Sequence, residues 1–159
     1  MRTLGSPILL LLLALPSAAP ALPPPAGFAL EAAASRASSG AAARLTAVTS
    51  CWVDGDVEAE ARLGFGSADR PGGRRADAVT PALGLRWGPD VGRLRPLLGL
   101  EAGVRLLIAG REATPTAAAR AGLELLARRR LSLSVTVGWR WISGAGSGAE
   151  ASVGLGYDP

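Results

Sequence analysis

A two-residue alternation of side-chain polarity constrains this chain more than any other feature. Between residues 57 and 66 the odd positions hold Val, Ala, Ala, Leu and Phe, and the even positions hold Glu, Glu, Arg, Gly and Gly. Successive side chains of a β-strand point to opposite faces, so this segment predicts a strand with one apolar and one polar face. The pattern returns in seven further segments, and the predicted strands are about 27–36, 43–53, 57–67, 77–87, 94–108, 116–127, 131–142 and 149–157.

The predicted connections alternate in length along the chain. Three are short enough for tight turns: 54–56, 88–92 and 128–130. The other four are somewhat longer: 37–42, 68–76, 109–115 and 143–148. An even number of strands near ten residues, with short turns on one rim and longer loops on the other, is typical of barrels that cross a membrane. The predicted fold is therefore all-β: an eight-stranded antiparallel up-and-down transmembrane β-barrel.

Charged residues separate onto one face once each strand is given a register. A lipid-facing Arg near mid-bilayer costs about 2–4 kcal/mol, so a membrane would enforce this segregation. The signs alternate and form no basic stripe, so the net charge of +4 predicts no nucleic-acid partner. An eight-stranded barrel has an interior just wide enough for side chains, which predicts a structural network of paired charges there. Its predicted members are Glu31, Arg44, Glu58, Glu60, Arg62, Arg86, Arg95, Glu101, Arg105, Arg120, Glu124, Arg140 and Glu150.

The aromatic residues lie near the predicted strand ends. Amphipathic rings prefer the lipid–water boundary, so two girdles are predicted. The alternative is a soluble barrel in which rings plug the ends of the core. Trp52 has the parity of the polar face, so it has the wrong parity for a girdle unless a bulge intervenes. The predicted interfacial aromatics are Phe28, Trp52, Trp87 and Tyr157 on the short-turn rim, and Phe65, Trp139 and Trp141 on the long-loop rim.

The first residues have the pattern of a cleaved secretion signal. Arg2 supplies a positive charge, residues 8–15 form an apolar core, Pro16 ends it, and small residues precede a cleavage point after Ala21. The apolar run is too short for a stable transmembrane anchor. The predicted organisation is a signal peptide at 1–21, a proline-rich spacer at 22–26 and a barrel domain at 27–159, carried through the inner membrane to the outer membrane.

Residue types that common catalytic mechanisms need are nearly absent. The chain has no His and one Cys, which excludes Ser–His and Cys–His nucleophile pairs and His metal sites. Glu58 and Glu60 share a face and could form an acid–base dyad or a cation site. A salt-bridge network with Arg62, Arg44 and Arg86 is favoured instead. The sequence predicts no enzyme, no cofactor and no metal site.

From residue 27 to 157 the chain resembles the small eight-stranded outer-membrane barrels, the class of the OmpA transmembrane domain and OmpX. Such proteins end in alternating apolar residues and a terminal aromatic, which the assembly machinery reads. Ala151, Val153, Leu155 and Tyr157 follow that rule, although 158–159 displace the aromatic from the last position. The resemblance implies the barrel fold, with outer-membrane lipid and the barrel-assembly machinery as partners.

Three functional hypotheses remain open from the sequence. The first is a structural or surface-interaction protein with a closed, charge-filled lumen. The second is a narrow channel or small-solute transporter in the same barrel. The third is a soluble periplasmic barrel that binds an apolar ligand, with its apolar face inward. Two segments also disturb the strand pattern: Pro81 removes a hydrogen-bond donor, and residues 117–130 have the propensity of a helix.

Overall fold

The computed structural model describes residues 27–37, 40–69, 75–108, 112–128 and 130–157. They form a closed antiparallel barrel in which each strand pairs with its neighbours in chain order and the last pairs with the first. The predicted fold class is confirmed. The expected signal peptide, the spacer and residues 158–159 lie outside the described residues. The strands are β1 (Gly27–Ala37), β2 (Gly40–Asp54), β3 (Val57–Asp69), β4 (Arg75–Trp87), β5 (Leu94–Leu107), β6 (Glu112–Arg128), β7 (Leu131–Ile142) and β8 (Gly146–Tyr157).

The two rims differ less than the sequence predicts. At the rim expected to carry longer loops, strands run into those segments, and the connections shorten to 38–39, 70–74, 108–111 and 143–145. At the opposite rim they are 55–56, 88–93 and 129–130. The sequence therefore predicted these four loops to be longer than they are. Alanine, serine, glycine and threonine fit either face, so the polarity pattern fades there while backbone pairing continues.

The helical alternative for residues 117–130 is wrong, because β6 is a continuous strand through Arg128. It pairs with β5 along one side and with β7 along the other. Backbone pairing on both sides overrides the helix propensity of Ala, Leu and Arg, since a helix here would leave two strand edges open. Nowhere in the described ranges is there a helix long and apolar enough to cross a membrane.

The apolar face of the sheet is the outside of the barrel. Large apolar side chains on it are exposed, for example Leu83 at 71% and Leu100 at 65%. Most buried residues are instead polar or charged and point into the lumen. The hypothesis of a soluble barrel with an apolar interior is therefore wrong. Charges in the outward register, Arg36 and Asp77, lie at the strand ends, where a barrel reaches water.

Three irregularities interrupt the pairing. The β2–β3 register shifts between Trp52 and Asp54, but this bulge follows Trp52 and leaves its side chain in the inner register. A second shift occurs between β6 and β7 near Leu126. On β4, Pro81 pairs with β3, but the β5 partners break off after Val79 and resume at Ala82 in the same register. The missing N–H of proline accounts for this gap.

Candidate functional site in the barrel lumen

All thirteen predicted lumenal charges lie on the inner face of the barrel. Inner and outer positions alternate on every strand, so the side-chain period of two decides which residues reach the lumen. Partly exposed members are the arginines 44, 86, 105 and 120. The buried members are Glu31, Glu58, Glu60, Arg62, Arg95, Glu101, Glu124, Arg140 and Glu150.

A central cluster of two arginines and three glutamates crosses the lumen. Arg62 contacts Glu31, and its guanidinium lies 2.9 Å from Glu60 and 3.1 Å from Glu101. Arg120 reaches the same three carboxylates at 3.2–3.4 Å. These glutamates come from β1, β3 and β5, so the cluster links strands that are not neighbours. Buried charges need such partners, because an isolated ion inside a barrel would be costly.

A second group of charges, the lower tier, lies toward the rim of the 55–56 and 88–93 connections. Arg86 lies 2.5 Å from Glu58, and Arg95 lies 2.9 Å from the other oxygen of the same carboxylate. Arg95 also pairs with Asp90 at 2.7 Å and reaches Glu124 at 3.6 Å. The strand pattern missed Asp90 because it lies in a connection, where side-chain parity carries no information.

Trp52 lies at this end of the lumen rather than in the outward girdle. It keeps the inner register opposite Glu58, and the Arg95 guanidinium carbon lies 5.0 Å from its ring centroid, within cation–π range. The ring is 42% exposed, so it lies at the mouth. The other six predicted interfacial aromatics are exposed on outward positions: Phe28, Phe65, Trp87, Trp139, Trp141 and Tyr157.

The third group, the upper tier, lies toward the rim of the β1–β2 and β7–β8 hairpins. Arg44 and Arg140 both pair with Glu150 at 2.7 Å, and Arg140 also contacts Glu101. The sequence predicted Arg44 in one network with Glu58 and Glu60, and Arg44 reaches that network indirectly, through Glu150, Arg140 and Glu101. Arg44 itself donates to Glu150 and, at 3.1 Å, to the Thr46 hydroxyl. Closure of the barrel brings β2 and β8 close together. The sequence does not reveal this proximity, because the two strands are far apart along the chain.

Lumenal glycines serve two packing purposes. At Gly64 an added Cβ would lie 2.6 Å from the Arg44 side chain, so this glycine makes room for an arginine. At Gly66 and Gly122 the added Cβ would instead lie 2.1 and 2.2 Å from carbonyl oxygens of the neighbouring strands. Some lumenal glycines therefore accommodate arginines, while others permit close backbone approach.

The geometry at Glu58 and Glu60 favours ion pairing over acid–base catalysis or cation binding. Glu58 and Glu60 share Arg86, and Glu60 also pairs with Arg62. Both candidate dyad carboxylates are thus engaged by guanidinium groups. Among the described residues, no three His, Cys, Asp or Glu side chains group as a metal site requires. Cys51 is a free, partly exposed residue of β2.

No protein-family model matches this sequence, and no curated protein matches it either. Solved structures do match by fold. Neisserial surface protein A aligns with a TM-score of 0.65 at 10% identity, over 84% of this chain and 95% of its own. The outer membrane enzyme PagL gives 0.60 at 12%, over 82% and 99%. The N-terminal barrel domain of Pseudomonas aeruginosa OprF gives 0.54 at 16%, over 83% and 98%. The chain therefore has the fold of the small eight-stranded outer-membrane β-barrels.

Proposed function

We propose that this protein is an outer-membrane barrel with a structural or surface-interaction role and a closed lumen. The observation that carries the proposal is the central cluster, Arg62 and Arg120 with Glu31, Glu60 and Glu101. Its side chains reach from β1, β3, β5 and β6 and meet on shared carboxylates. A solute would have to break several buried ion pairs to pass.

The spaces beside the cluster support a closed lumen. The cavity lined by Arg44 and Arg140 has a volume of about 50 Å³, and the one lined by Arg86 and Arg120 has about 20 Å³. Each holds water-sized groups rather than a nutrient molecule. Both fit a barrel of eight strands, whose interior is filled by side chains.

The outward surface supports location in the outer membrane. Leu83 and Val135 are exposed in the middle of their strands, and a membrane barrel presents such residues to lipid. A secretion signal would bring the chain to that compartment. The outward positions of β8, which include Val153 and Tyr157, are exposed and apolar. We propose outer-membrane lipid and the barrel-assembly machinery as partners.

We also propose that the protein is not an enzyme. One structure with this fold, PagL, is described as an outer membrane enzyme. The fold alone therefore does not show whether a protein is an enzyme. The present chain has no His. Its candidate carboxylates, Glu58 and Glu60, are paired with arginines. A general base needs a reachable proton and an accessible carboxylate, and ion pairing opposes both.

Planar-bilayer recording of the purified, refolded protein tests the closed lumen. We expect no steady conductance from the wild type. The double variant Arg62→Ala and Arg120→Ala is the comparison, because it removes both arginines of the central cluster and should admit ions. Heat modifiability on gels checks that each protein has folded. Steady, large conductance from the folded wild type would contradict the proposal and support the narrow channel instead.

A further inference from the structure

Arg36 is a charged side chain on the outer, apolar face of the barrel. It occupies the outward register of β1, is exposed, and pairs with Ala41 on β2 and Ala149 on β8. Ala149 pairs in turn with the girdle residue Trp139 on β7. Both β1 and β7 begin at the opposite rim, and Arg36 is the tenth residue of its strand where Trp139 is the ninth. Arg36 therefore lies near the level of the girdle, where lipid headgroups meet hydrocarbon.

The protein gives Arg36 no counterion. Within the part of the chain that the structure describes, its guanidinium forms no ion pair or hydrogen bond with a protein group. The carboxylates of the lumenal network are on the other face of the sheet. Asp77, a further charge in the outward register, lies on β4, with β2 and β3 between. At this level a membrane can supply the missing negative charge from an anionic lipid.

The surface next to Arg36, toward the middle of the barrel, is low. Ala34 pairs with Ala43 on β2 and with Ala151 on β8, and all three are exposed. We call these three residues the alanine strip. Larger outward side chains border it, Val137 on β7 and Phe65 on β3, which are 61% and 51% exposed. The strip spans three strands, or about 10 Å, so hydrocarbon chains can lie close to the backbone directly below a cation.

The rim above Arg36 offers little protein surface to a protein partner. The connections of the β1–β2 and β7–β8 hairpins are only residues 38–39 and 143–145. A lipid reaches Arg36 from within the membrane and needs no such surface. The charge, the level of the arginine and the apolar strip below it therefore all favour an amphiphile.

We propose that Arg36 and the alanine strip bind one anionic, phosphate-bearing lipid. The Arg36 guanidinium pairs with the phosphate, because its planar N–H donors match the spacing of phosphate oxygens. The acyl chains lie over Ala34 and Ala151, and the Trp139 ring borders the headgroup. This inference rests on the proposed outer-membrane location and deepens it by naming a lipid partner.

Native mass spectrometry of the refolded protein tests the headgroup contact. The protein is released from a neutral detergent that contains equal amounts of phosphatidylglycerol and phosphatidylcholine with identical acyl chains. We expect the wild type to retain phosphatidylglycerol preferentially, and Arg36→Gln to retain it roughly tenfold less, since a charge-assisted contact is lost. The matched control is Arg93→Gln, an exposed arginine in the 88–93 connection of the opposite rim, which should keep the preference.

A second pair of variants tests the alanine strip. Ala34→Leu fills the strip and should weaken phosphatidylglycerol retention, whereas Ala61→Leu, at an exposed outward position of β3, should not. Heat modifiability on gels checks that each variant has folded. Equal retention of the two lipids by the wild type would mean that bulk lipid covers this face, and would overturn the proposal. Equal losses in the two arginine variants, or in the two alanine variants, would also overturn it. Subcellular fractionation tests the outer-membrane location separately, so either of these results from a folded barrel rejects the lipid site alone.

Discussion

Single lumenal carboxylates hold several strands together. Glu60 on β3 lies within 3.4 Å of Arg62, Arg86 and Arg120, and its side chain is 1% exposed. Its negative charge therefore stabilises guanidinium groups from three strands. Removal of one partner from a buried ion network leaves an uncompensated buried charge, and this strongly destabilises the folded state.

Glu60→Gln should therefore lower the free energy of unfolding by about 3–5 kcal/mol. Urea unfolding in phospholipid vesicles, followed by tryptophan fluorescence, measures this. The matched control is Asp56→Asn at an exposed turn position, which should change stability by less than about 0.5 kcal/mol. Equal effects of the two substitutions would show that the central cluster does not stabilise the barrel.

Gly122→Ala should lower the free energy of unfolding by about 1–3 kcal/mol, through overpacking against backbone. The added Cβ would lie 2.2 Å from the Val135 carbonyl oxygen and 2.8 Å from the Thr136 Cα. At Gly99 the nearest atoms would be 3.7 Å away, so Gly99→Ala should stay within about 0.5 kcal/mol of the wild type. The same urea titration compares the two, and a harmless Gly122→Ala would contradict the close strand approach.

At the scale of the strand, the alternating sequence pattern predicts the register and most of the strand boundaries. Alternating Glu, Arg and Leu fix which face of β3 or β5 turns inward, because a one-residue slip would turn every charge to lipid. The early start of β6 at Glu112 was not predictable, because Ala and Thr fit either face. Ion-pair partners were not predictable either, since Arg44 meets Glu150 only after the barrel closes.

Leu83→Arg should make folding into vesicles less favourable by about 2–4 kcal/mol. Leu83 is 71% exposed in the middle of the outer face, between Ala61 on β3 and Ala102 on β5. Val53→Arg is the matched control, because Val53 is 62% exposed but lies beside the 55–56 turn. There the cost should be about 0–1 kcal/mol. Equal costs at the two positions would mean that depth in a membrane does not matter.

At the scale of the whole molecule, the barrel is inverted relative to a soluble protein. Its apolar side chains face outward, its charges pair inside, and closure of β8 onto β1 leaves no open strand edge. This arrangement is stable when lipid covers the outer face, because hydrocarbon replaces water around residues such as Leu100 and Val137. The network of paired charges then crosses the lumen, and the apolar outer face supports the proposed location in the outer membrane.

Subcellular fractionation tests this membrane location most directly. The full chain, including the predicted signal peptide, is expressed in a Gram-negative host, and membranes are separated from the periplasm. We predict a heat-modifiable band in the outer-membrane fraction that resists extraction without detergent. A folded pool that stays soluble in the periplasm without detergent would contradict the location of these apolar side chains in lipid.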